Sequence, residues 1–119
     1  MIHLILPWPP SVNGYWRSYR GRQIISKRGR NYRTAVAVEA ANAGLVGANI
    51  AGPVKVSIEL HPPTLRRYDV DNFAKAPLDA LTHAKVWLDD EQVHELTLKK
   101  CEKTKPGFIF LTIEEIATD

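Results

Sequence analysis

Val54-Lys55-Val56-Ser57-Ile58-Glu59-Leu60 alternates apolar and polar residues without a break. Successive side chains of a strand point to opposite faces, so this run reads as a β-strand with one face in a core and the other toward water. Gly52-Pro53 breaks the chain before it and His61-Pro62-Pro63 ends it. Proline lacks an N–H and fixes φ, so neither flank continues regular structure. Further out, Val93–Lys100 and Phe108–Ile113 read as two more strands, with Pro106-Gly107 as the turn that makes them a predicted hairpin. At the other end, Ile2–Leu6 is a short apolar run stopped by Pro7, a predicted first strand.

Two helices fill the gaps. Ser26 is a predicted cap for a helix reaching about Ala48, with Gly29 and Gly44 as weak points. Val36, Ala40 and Ala43 are expected on its buried face. Lys27, Arg28, Arg30 and Arg33 crowd its N-terminal half, where positive charge opposes the helix dipole, so a local anion is expected to compensate. The second helix is expected from Asp69 or Asp71 to about Ala84, burying Phe73, Ala80, Leu81 and Ala84. Asp71, Lys75 and Asp79 recur at steps of four and predict one polar stripe. Pro77 lies inside this pattern and predicts a kink or a late start. The expected fold is α+β: a small mixed sheet with two main helices in a single domain, residues 1–119.

Composition narrows the class. Hydrophobic residues make up 45% and charged residues 24%, the balance of an ordinary globular domain. No apolar run is long enough to cross a bilayer. Ile2–Leu6 has no basic segment before it and does not read as a signal peptide. The single Cys101 excludes an internal disulfide and any multi-cysteine zinc site, which points to a reducing cytoplasm. Cys101 itself reads as a small buried hydrophobe. His3, His61, His83 and His94 show no ligand spacing. No phosphate-cradling glycine loop and no Ser/His/Asp set can be assembled.

Net charge is only +3, but it is unevenly spread. Residues 17–33 carry Arg17, Arg20, Arg22, Lys27, Arg28, Arg30 and Arg33 with no acid. Residues 66–91 carry four basic residues against six acidic ones, a net of −2. A basic arm beside an acidic pocket suits a metal-dependent nuclease better than a nucleic-acid coat. The arm interleaves Tyr15, Trp16 and Tyr19 with its arginines, aromatics for stacking and cations for phosphates. Aromatics packing a loop onto the core would give the same pattern.

The acidic pocket is expected from Arg66-Arg67-Tyr68-Asp69-Val70-Asp71-Asn72-Phe73-Ala74-Lys75 and from Trp87-Leu88-Asp89-Asp90-Glu91. Mg²⁺ takes oxygen ligands from a few carboxylates, water and substrate phosphate. Asp69, Asp71 and one of Asp89 or Asp90 are candidates to supply them. Arg66 and Arg67 make sense beside carboxylates when a phosphodiester approaches. Taken singly, each aspartate also reads as a helix cap or turn residue. Pro7-Trp8-Pro9-Pro10-Ser11-Val12-Asn13-Gly14 predicts a rigid extended turn that places Ser11 and Asn13, the latter as a candidate to close the pocket.

These residues together resemble the RusA family of Holliday-junction resolvases of phages and prophages. The resemblance runs from Leu6-Pro7-Trp8-Pro9-Pro10-Ser11-Val12-Asn13 through Arg67–Lys75 and Leu78-Asp79-Ala80-Leu81 to Trp87-Leu88-Asp89-Asp90-Glu91-Gln92-Val93. It implies Asp69, Asp71 and Asp90 as acidic catalytic and metal-holding residues and Lys75 as an essential lysine. Asn72 and Arg67 or Arg66 are implied as supporting residues. It further implies a homodimer that uses Mg²⁺ or Mn²⁺, needs no small-molecule cofactor and cuts four-way junctions symmetrically. Arg17, Arg20, Arg22, Lys27, Arg28 and Arg30 are the expected DNA contacts. Tyr68 replaces an arginine and Pro77 an alanine expected from the family. Two other readings stay open: a DNA-binding module without catalysis, and a nuclease aimed at flaps or other branched DNA.

Overall fold

The structure is a computed structural model that describes residues 1–117. Its elements run β1 (Ile2–Pro7), α1 (Val12–Tyr15), β2 (Trp16–Tyr19), β3 (Arg22–Ile25), α2 (Lys27–Asn42), β4 (Val54–His61), α3 (Lys75–His83), β5 (Val93–Lys100) and β6 (Phe108–Glu115). Short 3₁₀ turns at Val70–Phe73 and Asp90–Gln92 flank α3. The fold is α+β. A mixed sheet of order β1-β6-β4-β5 is joined by a separate two-stranded β2-β3 ribbon.

β4 behaves as its alternation dictates. Val54, Val56, Ile58 and Leu60 are buried, while Lys55, Ser57, Glu59 and His61 face the other side. The buried set meets Leu4, Leu6, Ile109, Leu111 and Ile113 from neighbouring strands, and Val36, Ala40, Ala80 and Leu81 from the two main helices. Both helices therefore cover one face of the sheet. Replacing Ile58 with alanine would remove about 2–5 kcal/mol of packing from this layer.

The predicted hairpin does not form. β6 lies between β1 and β4, antiparallel to both, and β5 runs parallel to β4 at the sheet edge. The reason lies in the side chains. Ile109, Leu111 and Ile113 are all buried and need neighbours on both sides, whereas β5 carries Glu95, Thr97, Lys99 and Lys100. Charged strands, lysine-bearing ones above all, are placed where one edge meets solvent. β4, α3 and β5 then form a strand–helix–strand crossover, the connection a parallel pair requires.

The basic helix is shorter than expected. Gly44 at φ +74° follows the C-cap Ala43, its N–H bonding to the Ala41 carbonyl, and the Leu45 N–H closes on Ala40 at 2.8 Å. That double closure ends a helix, and it leaves Ala43 exposed rather than buried. Ser26 is the N-cap, as expected, with its oxygen accepting from Gly29 N–H at 3.0 Å. No acid occupies the first turn, so the expected compensating anion is absent there. Asp69 precedes a 3₁₀ turn and α3 proper begins only at Lys75. Pro77 thus falls in the first helical turn, where backbone N–H groups have no intrahelical partner, and its ring costs no hydrogen bond.

Candidate active site at the two ends of the acidic helix

The chain from Asp69 to Phe73 is too tightly wound for an α-helix, and this puts its two carboxylates outward. Asp69 is extended at φ −89° and ψ 135°, and its carbonyl accepts from the Asn72 N–H at 3.1 Å. Its carboxylate makes no capping bond. Asp69 and Asp71 are exposed, and neither carboxylate has a hydrogen-bond or ion-pair partner among the described residues. The cap reading of these aspartates is therefore not what the geometry shows.

At the other end, Asp90 is held from two sides. Lys75 Nζ lies 3.3 Å from its Oδ2, and the Thr82 hydroxyl donates to its Oδ1. Thr82 Oγ1 in turn accepts from the indole N–H of the fully buried Trp87 at 2.6 Å. Lys75 thus reaches across α3's start to Asp90 rather than pairing with Asp71, which revises the expected stripe. The Asp71–Asp79 part of that stripe also dissolves, because Asp71 lies in the 3₁₀ turn and not on the helix.

The adjacent acids have separate tasks. Asp89 caps the Asp90–Gln92 turn, accepting from the Glu91 N–H at 3.1 Å, while Asp90 faces Lys75 and Thr82. Gln92 fixes this turn to the body. Its carbonyl accepts from the Leu88 and Asp89 N–H groups at 2.8 and 2.9 Å, and its amide donates to Ile50 and Gly52 carbonyls at 2.7 and 2.9 Å. A buried amide with all these partners holds its backbone neighbours rigidly.

A cleft of ≈ 420 Å³ opens beside the 3₁₀ turn, lined by Arg28, Arg66, Arg67 and Asn72 together with Trp8, Tyr68 and Phe73. The three aromatic rings pack against one another with centroids 4.9–5.8 Å apart. Burial, with the nearby Cys101 adding to it, pushes the Tyr68 hydroxyl above the usual tyrosine range. Ser11 lines this cleft, but Asn13 lines a separate depression with Trp16, Arg17 and Gln23. The expected extended turn is also partly helical, since Ser11 caps α1 with its oxygen 3.2 Å from Gly14 N.

The basic arm divides into parts with different surroundings. Arg17, Arg20 and Arg22 are exposed on the β2–β3 ribbon, with Arg17 and Arg20 over the Tyr19 ring at 5.6 and 5.2 Å. Arg20 and Gly21 form its two-residue turn with both φ values positive, the geometry that matches strand twist. Lys27 is exposed at the start of α2, and Arg30 turns back to the Ile25 carbonyl at 3.2 Å. Tyr15 leaves the arm altogether. It is buried, donates to Asp79, and accepts from Arg33 Nε at 3.0 Å. Arg33 completes the triad with an ion pair to Asp79 at 2.7 Å. Burial and the Asp79 acceptor raise Tyr15 far above its usual range. Burial works against the Arg33 charge, yet its bonds to Asp79 and Tyr15 prevail and hold it firmly protonated.

For a cation, the donor chemistry decides. Asp69, Asp71 and Asp90 offer carboxylate oxygens, two of them unengaged, and that set fits a hard ion such as Mg²⁺. The structure does not gather these three as ligands around one point; among the described residues the group that meets that way is Glu59, His61 and Cys101, whose ligand atoms all lie within 4.8 Å of one another. No helix is long and apolar enough to cross a membrane among the described residues.

Residues 7–114 match the family model described as "Endodeoxyribonuclease RusA". The chain belongs to the RusA family. The curated relatives agree with that length of match. The chain is 46% identical over 117 residues to the crossover junction endodeoxyribonuclease of Enterobacteria phage 82, covering 98% of this chain and 97% of the relative. It is 47% identical over 116 residues to the proteins of that name from Escherichia coli strain K12 and Shigella sonnei, covering 98% of this chain and 96% of each. As a RusA-family protein the chain is an endodeoxyribonuclease, an enzyme that hydrolyses phosphodiester bonds. A DNA-binding module without catalysis is set aside. Sequence reasoning passed over Thr82 and Gln92, the two side chains that seat Asp90 and its turn. A threonine seven residues after Lys75 carries no recognisable signal. Gln92 stands three residues after Asp89, the capping-box spacing that would have found it.

Proposed function

We propose that this RusA-family chain resolves four-way DNA junctions as a Mg²⁺-dependent homodimer, its 119 residues acting as a single endonuclease domain in the cytoplasm of a bacterial or phage-infected cell. The observation that carries the reading is the pair of exposed carboxylates at Asp69 and Asp71, without partners among the described residues. Asp71 stands four residues before Lys75, whose ammonium lies 3.3 Å from Asp90. Asp69, Asp71 and Asp90 would hold Mg²⁺, with Mn²⁺ able to substitute. Once bound, the ion would lower the pKa of a coordinated water and neutralise charge on the leaving oxygen.

The remaining roles belong to the chain itself. Lysine is ordinarily too basic to be a good general base near neutral pH, so Lys75 acts as a fixed cation that steadies Asp90 and meets charge building on the phosphate. Thr82 and Trp87 keep Asp90 in one rotamer. Asn72, Arg66, Arg67 and Arg28 line the cleft through which the backbone approaches. Arg17, Arg20, Arg22, Lys27 and Arg30 contact the junction arms. The N-terminus of α2, rich in cations and free of acid, favours the phosphates that would supply its missing anion. Asn13 remains a supporting residue on the ribbon side.

A junction has approximate two-fold symmetry and needs one nick in each of two opposed strands. A two-fold dimer supplies two pockets related by that same symmetry. The test uses a synthetic four-way junction, a flap and a linear duplex with Mg²⁺. Paired symmetric nicks confined to the junction are expected, and preferential cutting of the flap or duplex overturns the reading. A mixed dimer of wild-type and Asp71→Asn chains on a supercoiled cruciform should give nicked circles. Linear product or no product at all would overturn one site per subunit.

A further inference from the structure

Opposite the helices, the C-terminal ends of β4 and β5 bring together three residues that the nuclease chemistry does not use. Glu59 and His61 are two apart on β4 and so point to the same face, away from the core. β5 lies parallel to β4 with Leu60 beside Lys100, and the Cys101 N–H bonds to the Leu60 carbonyl at 2.8 Å. One step further along the same register, Cys101 arrives next to His61. Glu59, His61 and Cys101 each offer a ligand atom within 4.8 Å of the others.

The imidazole of His61 is the second observation. Its ring lies face to face with Phe108, centroids 4.4 Å apart and planes 7° from parallel, so its orientation is fixed by packing. Yet Nδ1 is buried with no hydrogen-bond partner among the described residues, and Nε2 is 3.9 Å from the Glu59 carboxylate, beyond hydrogen-bond range. Cys101 is a free thiol whose only contact of this kind among the described residues is a 3.9 Å approach to the Lys99 carbonyl. A buried polar atom without a partner calls for a reason, an absent ion being one of the standard ones.

We propose that Glu59, His61 and Cys101 form a second cation site, selective for a borderline transition metal of the Zn²⁺ type and separate from the aspartate cluster. Such ions accept a thiolate, an imidazole and a carboxylate together, whereas Mg²⁺ takes oxygen ligands and gains little from the thiolate and imidazole. Three protein ligands with water in the fourth position complete a tetrahedron. Ligand atoms around tetrahedral zinc stand ~3.5 Å apart, so closing from 4.8 Å needs only a rotamer adjustment of Glu59 and Cys101. Binding releases the thiol proton and leaves the imidazole neutral. The ion would clasp the edge strand β5 to β4 where the chain leaves for the Pro62–Arg67 loop. That loop carries Arg66 and Arg67 into the DNA cleft. The ion would thereby set the entry angle of the arginine loop.

Co²⁺ is the probe, because thiolate ligation gives it a charge-transfer absorption that carboxylates alone do not. Titrating the full chain under reducing conditions should give that band, saturating at one equivalent per chain. Cys101→Ser should abolish the band, and Glu59→Gln should weaken binding at least tenfold. Zn²⁺ should displace Co²⁺, and a large excess of Mg²⁺ should not. Asp71→Asn, which alters the other cluster, should leave the band and the affinity as in wild type. Absence of the band in wild type, its persistence in Cys101→Ser, or its loss in Asp71→Asn would each overturn the proposal. Circular dichroism of Cys101→Ser guards against misfolding. Should that chain not fold, Glu59→Gln decides alone: an affinity within twofold of wild type overturns the site.

Discussion

α3 carries an aspartate–cation meeting at each of two places, and they are built to opposite ends. In its middle, Asp79 Oδ2 is met by both the Arg33 guanidinium and the Tyr15 hydroxyl, so its charge is compensated inside the protein. At its margins, Asp69 and Asp71 have no partner among the described residues, while Asp90 is held by Lys75 on one oxygen and by Thr82 on the other. The same residue types serve both. The Tyr15–Arg33–Asp79 triad ties α1, α2 and α3 together with its charge already compensated. An unsaturated set repels itself and waits for a cation or a phosphate. Placement decides which is which: Asp79 projects from regular helix against α2, whereas the others sit on 3₁₀ turns whose tighter winding presents them to solvent.

The contrast is broken most directly at Asp71. Asp71→Asn keeps the shape and one oxygen while removing the charge that holds a hard ion. Cleavage should fall at least ~10³-fold, with junction affinity retained or increased and thermal stability unchanged. Cleavage at the wild-type rate would move Asp71 out of the unsaturated set. Lys75→Ala should follow with a loss of ~10²-fold, and Lys75→Arg should recover part of it if fixed charge is the role. Normal cleavage by Lys75→Ala at saturating Mg²⁺ would reduce the Lys75–Asp90 contact to a half-exposed ion pair, worth less than ~1 kcal/mol.

The saturated triad should answer in the other currency of measurement. Asp79→Asn leaves Arg33 and Tyr15 short of their charged acceptor and should lower unfolding free energy by about 1–3 kcal/mol, read from the urea midpoint at constant slope. Its cleavage rate per folded molecule should stay within a few-fold of wild type. A rate loss as deep as that of Asp71→Asn would erase the distinction between the two sets.

Much of this is legible in the sequence. Strict alternation placed β4, and the extent of β5 was read to the residue. Serine before a basic run placed the start of α2. What failed was pairing, since period-two patterns mark strands but do not say which neighbours they take. A Pro-Gly turn suggested the nearest partner, and the burial demand of β6 overrode it. The same blindness hid the Glu59–His61–Cys101 group, whose cysteine lies forty residues beyond His61 and meets it only through the parallel register. In the acidic pocket, the ligand types were readable and their holders were not. Asp90 depends on Thr82, and the signal there is a tertiary hydrogen bond with no sequence spacing of its own.

The smallest expected effect concerns the arm, where the two ways of using charge meet in one segment. Arg33 is spent on Asp79, while Arg20 and Arg22 stand exposed on the β2–β3 ribbon with no acidic partner among the described residues. Phosphate contacts release counterions, so the logarithm of affinity falls with the logarithm of salt at a slope of ~0.9 per phosphate neutralised on duplex DNA. Arg20→Glu with Arg22→Glu should therefore weaken junction binding at low salt and flatten the slope by about two contacts. The difference from wild type should shrink as salt rises, because the lost term is the screened one. Neither residue packs in the core, so the melting temperature should hold. An unchanged slope would mean that the ribbon's arginines are spectators and that junction affinity resides in the cleft and at the start of α2. A fall in stability would mean that the ribbon belongs with the saturated, structural half of the molecule.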